Sequence, residues 1–197
     1  CPETAIGIHR VSRAVNNAPP AIYEVSHTPV TPAANQAVVV TARAHDPNGV
    51  SSLQLRYRLD PSTSYSATTM TDNGVGGDAV ANDGILSATI PAQAAGGLVA
   101  FYVQATDGFS PGATSYFPSD APVRECLVRF GENIPTGNFP VYLTWMTQST
   151  INTWDSRNNL DNRPNDVTFV LGNQRAIYNV QASFAGSPYI APGFNTP

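Results

Sequence analysis

The chain has 197 residues, enough for one large domain or two small ones, with an ordinary hydrophobic share of 42%. Only 12% of its residues are charged, with ten arginines, no lysine and a net charge of -4, against roughly 25% charged in soluble domains. This neutral, polar surface excludes the basic footprint of a nucleic-acid binder, and no apolar run reaches the roughly 18 residues that a transmembrane segment needs.

Residues 1–18 show no clear period and read as a leader or linker, closed by Pro19-Pro20. Both chain ends read as cuts, so the expectation is a piece or processed form of a longer parent whose other domains are its nearest partners. Cys1 leaves open the lipoprotein reading, in which a cysteine becomes first once a signal is removed; no signal segment is present. Cys1 and Cys126 could pair outside the cytosol, but Cys126 alternates with Val128 and Phe130, which favours a buried apolar thiol. No Cys/His spacing suggests zinc.

From 19 to 131 the strand signal repeats. Strands are expected over 21–26, 38–44, 53–59, 65–70, 85–90, 98–106 and 124–130. The clearest alternations put Val38, Val40 and Ala42 on one face of the second strand, and Leu53, Leu55, Tyr57 and Leu59 on one face of the third. In the sixth, Val99, Phe101, Val103 and Ala105 point inward. Seven short strands spaced by turn residues imply a mainly β fold, an immunoglobulin-like or fibronectin-III-like antiparallel sandwich.

The stretch 70–91, MTDNGVGGDAVANDGILSATIP, interrupts this pattern. It holds too many Gly and Asp for an element interior, and such a mixture suits a tightly wound loop. If consecutive strands run antiparallel, this loop shares one pole with the turns 45–50 and 107–113. Asp46, Asp72, Asp78, Asp83 and Asp107 then gather there by parity. Clustered carboxylates and carbonyls are the oxygen donors that calcium takes, so Asp72, Asn73, Asp78 and Asp83 are candidate calcium ligands with a structural role. The spacing is not that of a helix–loop–helix calcium site, and plain turn chemistry is the alternative.

After Gly131 the composition changes, and 132–140 reads as a linker. A strand is expected over 139–143. Thr147 should N-cap a helix of about ten residues carrying Ile151 and Trp154 on one face. Strands 166–171 and 175–182 should form a hairpin through a Gly172-Asn173 type II′ turn. Within 141–194, the run TWMTQ followed by Trp154, the DVTF–hairpin–YNV pair and the AGSPY loop resemble the opening of the spore-coat protein H (CotH) kinase-like family. The resemblance implies that 141–197 is a small α+β segment, the start of an atypical kinase amino-terminal lobe. It also implies that the nucleotide-gripping and metal-binding groups lie further along than these residues, so none is assigned here. The preceding sandwich is similar to Ig-like domains that accompany such kinases in large secreted bacterial proteins.

His45-Asp46 lacks a nucleophile beside it and reads as a turn-capping pair; His9 and His27 are isolated. Tyr142, Trp145, Trp154, Phe169, Tyr178 and Phe184 would make a glycan platform if exposed, and a core if buried. Ser187-Pro188-Tyr189 takes no role. The expectation is a non-enzymatic, extracellular or cell-surface structural module, bacterial and secreted, that calcium could stabilise. The alternatives are a fragment of an active kinase, and an adhesion module with a protein or cell-surface partner.

Overall fold

A computed structural model describes residues 17–137, 140–157, 161 and 163–183. The chain is mainly β, built of three antiparallel sheets and a single described helix. Sheet 1 contains β1 (Ala21–Thr28), β2 (Val38–His45) and β5 (Leu86–Ile90), in the order β1-β2-β5. Sheet 2 orders β4 (Ser66–Thr69), β3 (Val50–Leu59), β6 (Leu98–Asp107) and β7 (Thr114–Phe117), and β8 (Cys126–Arg129) pairs with the start of β6. Sheet 3 orders β11 (Arg175–Ala182), β10 (Asn165–Leu171) and β9 (Tyr142–Trp145), with α1 (Gln148–Asp155) between β9 and β10. No described helix is long and apolar enough to cross a membrane.

Sheets 1 and 2 bury their facing residues against each other, as the alternation requires. Val38, Val40 and Ala42 of β2 and Val103, Ala105 and Phe101 of β6 are all fully buried. Each such side chain contributes about 1.5–3 kcal/mol by leaving water, alanine less. β3 follows its expected face until it outruns the core: Leu53 and Leu55 are buried, whereas Leu59 is 47% exposed. β6 is buried on both faces, because Tyr65 and Tyr116 pack edge-on against Tyr102 on its outer side.

Among the described residues, eight strands, not seven, precede Gly131. The extra one, β7, is four residues between Pro111 and Pro118, too short to display a period. The final strand of this part is shorter than expected, and Leu127 is as buried as its neighbours Cys126 and Val128. Sheet 3 accounts for this, since it abuts β8: Thr168 Oγ1 accepts the Leu127 N–H at 3.1 Å, and Trp145 and Val170 join the buried cluster of the first two sheets.

Thr147 caps α1 as its sequence context implies, its hydroxyl accepting the Thr150 N–H at 3.2 Å, but the helix stops after eight residues. The expected hairpin is present with a three-residue loop in place of two. Leu171 pairs with Arg175, Gly172 takes φ 51°, and the Gln174 N–H closes on the Leu171 carbonyl at 2.9 Å. The strand before α1 begins at Tyr142 and runs to Trp145. The leader residues 1–16, with Cys1 and His9, lie outside the described residues, as do Asn138, Phe139 and 184–197, which include Phe184 and the Ser187-Pro188-Tyr189 run.

Candidate functional site

The loop between β4 and β5 is anchored where Thr71 exchanges two backbone hydrogen bonds with Ser87, both 2.9 Å. It then folds back over the outer face of sheet 1. Thr89 Oγ1 donates to the Gly76 carbonyl at 2.9 Å, and a Cβ on Gly77 would lie 2.7 Å from Val39 Cγ2. Gly77 has φ 107°, so both its space and its backbone exclude other residues.

Within this loop the carboxylates close turns on their own chain. Asp72 accepts the Asp83 N–H at 3.2 Å on one oxygen and the Gly84 N–H at 2.8 Å on the other. Asp78, 9% exposed, accepts the Gly74 N–H at 2.6 Å, and Asp83 accepts the Ile85 N–H at 2.8 Å. Asn73 Oδ1 accepts the Val75 N–H at 3.2 Å. Arg43 Nη1 donates to the Asp83 carbonyl at 3.0 Å while its Nε holds Glu24. One oxygen from each of Asp72, Asp78 and Asp83 lies within 4.8 Å of the others. Carboxylate oxygens keep further lone pairs after accepting one amide, so these three remain able to act as donors to a hard cation.

Parity placed five carboxylates together; three are. The loop's fold along sheet 1 carries Asp72, Asp78 and Asp83 into their own group. Asp46 and Asp107 instead serve a separate junction between the turns after β2 and β6. Asp46 caps its turn through the Asn48 N–H at 2.7 Å. Asp107 accepts the N–H groups of Phe109 and Ala113 at 3.2 and 3.0 Å, and the Gly108 N–H meets the Gly49 carbonyl at 2.9 Å. His45 is exposed beside Asp46, which matches the turn-capping reading of that pair.

Two polar clusters escaped the sequence reading. His27, 3% exposed, lies edge-on to Phe101 and beside Trp145 and Tyr178. Its Nε2–H donates to the Val30 carbonyl at 2.9 Å, which leaves Nδ1 to accept the Tyr178 hydroxyl. Burial drives the imidazole down to about 4, so it stays neutral, and burial likewise raises the Tyr178 phenol well above its usual value. A groove of about 420 Å³ opens beside this pair, between β1 and the start of β11.

The second cluster centres on Arg58. Its Nε reaches Glu125 Oε1 at 2.8 Å and its Nη2 reaches Oε2, while Nη1 donates to Asp60 Oδ1 at 2.9 Å and to the Ser62 carbonyl at 2.8 Å. The Tyr65 hydroxyl donates to Glu125, and Asp60 Oδ2 accepts the Gln148 N–H of α1 at 2.7 Å. The hydrogen bonds to Glu125 hold the guanidinium more firmly protonated than usual, and burial, helped by Glu125, pushes the Tyr65 hydroxyl up to about 12. The one sequence hint was Glu125, a charge set beside the apolar run CLV of a strand.

Cys126 is a free, fully buried thiol whose burial raises its pKa well above the usual range, as the apolar reading of that residue implies. The aromatic set divides: Trp145 is 3% exposed and Tyr178 packs against Phe101, whereas Tyr142, 58% exposed, stacks on Phe169 at 5.7 Å on the outer face of sheet 3. No family model matches the chain, and no curated protein matches it.

Proposed function

We propose that this chain is a structural module of an extracellular or cell-surface protein, with an Asp-rich loop that calcium pins. The observation that carries the structural reading is the use made of its buried charges. Arg58, Glu125 and Asp60 join β3, the approach to β8 and the start of α1, so residues on both sides of 132–140 are tied by the same side chains. The scarcity of charge and absence of lysine support the extracellular assignment.

The calcium part rests on the donor set. Asp72, Asp78 and Asp83 would supply carboxylate oxygens, and Asn73 or nearby carbonyls the further oxygens such an ion needs. The test is thermal unfolding in calcium and in EDTA. Asp78 also holds the Gly74 N–H, so Asp78→Ala would lose a loop hydrogen bond under both conditions. Asp78→Asn keeps an acceptor there and removes the charge. It should abolish a calcium-dependent rise in Tm while changing the EDTA value little; a wild type that melts identically in both solutions would sink the ion reading.

A second reading supplements the first. The TWMTQ, DVTF and YNV runs fall on β9 and the start of α1, on β10 and on β11, one small sheet with one helix. That supports taking this segment as the start of a CotH-like kinase lobe, with the sandwich as its Ig-like companion. Incubation with radiolabelled ATP and magnesium separates module from enzyme: the structural reading expects no phosphoryl transfer from this chain alone, and transfer to itself or to an added acceptor would put the kinase reading first.

A further inference from the structure

Asparagine precedes glycine at two places in the chain, and both read Asn-Gly-Val: Asn48-Gly49-Val50 and Asn73-Gly74-Val75. The pairing matters chemically, because glycine has no Cβ to keep its backbone nitrogen away from the asparagine side-chain carbon. With the same residues following, the two asparagines would react at similar rates in an unfolded chain. Both pairs are also exposed, so access to water does not separate them.

Their folded surroundings do separate them. In the loop between β4 and β5 the Gly74 N–H donates to Asp78 Oδ2 at 2.6 Å, within the reach of a general base. Asn73 Oδ1 accepts the Val75 N–H at 3.2 Å, which puts a donor on the oxygen where negative charge builds up when Cγ is attacked. The Asp78 N–H donates to the Val75 carbonyl at 3.3 Å, so one turn holds both the carboxylate and that donor. Asn48 has neither. The Gly49 N–H donates to a neutral acceptor, the Asp46 carbonyl, at 3.0 Å, and the Asp46 carboxylate takes the Asn48 N–H instead. Asn48 Nδ2 donates to Asn17 Oδ1 at 3.2 Å, and among the described residues no donor lies on Asn48 Oδ1.

We propose that Asn73 is a self-modifying site, converted through its own backbone to an aspartyl or isoaspartyl residue with Asp78 as the proton carrier. The Gly74 nitrogen attacks Asn73 Cγ while its proton passes to Asp78, and a cyclic imide closes. Asp78 returns the proton to the side-chain nitrogen, the Cγ–Nδ2 bond breaks and ammonia leaves. Water then opens the imide at either carbonyl, which gives the two acids. The atoms balance with water alone, so the step does not depend on an ion in the loop. Its product adds a carboxylate to the loop that carries Asp72, Asp78 and Asp83.

The test keeps the whole chain folded in EDTA at neutral pH and follows both asparagines by peptide mass spectrometry, with isoaspartate and released ammonia measured alongside. Asn73 should convert severalfold faster than Asn48, and in urea the two should convert at similar rates. Asp78→Asn keeps an acceptor for the Gly74 N–H but cannot take its proton. It should slow conversion at Asn73 severalfold and leave Asn48 unchanged. Equal rates for the two asparagines in the folded chain overturn the proposal. So does faster conversion of Asn73 in Asp78→Asn, which would mean that Asp78 only locks the turn. Should the variant fail to fold, the comparison of Asn73 with Asn48 in the wild type decides alone.

Discussion

The buried, neutral ring of His27 leaves its mark on stability. The imidazole is held at about 4 when folded against 6.5 when exposed, so between those values the unfolded chain binds the extra proton. Its stabilising contribution is complete above 6.5 and disappears as pH falls to about 4, a loss on the order of 3 kcal/mol. Denaturant unfolding from pH 7 to pH 4 should show that loss in the difference between wild type and His27→Leu, with the variant paying a fixed 1–3 kcal/mol or so for the orphaned Tyr178 hydroxyl. A difference that does not vary with pH would mean that His27 is not held neutral. Arg58 and Glu125 make a separate case. Glu125→Leu removes the bidentate partner of Arg58 and leaves it only Asp60, so it should cost up to roughly 3–5 kcal/mol. Arg58→Met combined with Glu125→Leu should cost less than the sum of the two single changes, even though Asp60 then loses its cation, and a strictly additive double mutant would contradict the pairing.

Individual elements depend on single backbone and capping choices. Gly77→Ala must bring a Cβ to 2.7 Å from Val39 Cγ2 at a φ of 107°, and should destabilise by about 1–3 kcal/mol or lift the loop from sheet 1. Gly131 is comparable at the end of sheet 2: its φ is 67°, and a Cβ would meet Ala95 at 2.8 Å. Helix α1 has only eight residues, too few to persist without packing and caps. Thr147→Ala should therefore cost about 1 kcal/mol and lower helix content measurably by circular dichroism, with Thr147→Ser restoring most of it. Unchanged stability in Thr147→Ala would show that the Gln148 N–H bond to Asp60 suffices to hold that end.

At the scale of the whole molecule, the third sheet and the first two share one buried cluster through Trp145 and Val170. Both tryptophans, Trp145 and Trp154, follow the 132–140 segment, whereas most strands precede it. Fluorescence therefore reports on the last part of the chain and far-ultraviolet dichroism on all of it. Under denaturant the two signals should change together, as for a cooperative unit; an earlier fluorescence transition would mean that sheet 3 unfolds on its own.

Alternation alone placed β2, β3 and the inner face of β6 correctly, because a strand with one buried face must repeat its apolar residues every second position. The Gly/Asp run was legible as a loop, and Thr147 as a cap, because both depend on local backbone chemistry. The gathering of Asp72, Asp78 and Asp83 was half legible: parity brought their loop to one pole, but its return along the outer face of sheet 1 was needed to separate them from Asp46 and Asp107. Nothing local marks His27 for Tyr178 or Arg58 for Glu125, which lie 151 and 67 positions apart. A side chain's partner across such a distance is set by how sheets pack, and composition and spacing carry no record of it. The sequence by itself determined the long alternating strands, the Gly/Asp loop and the Thr147 cap; which buried charges meet, and that the residues after 140 close over β8, only the tertiary structure decided.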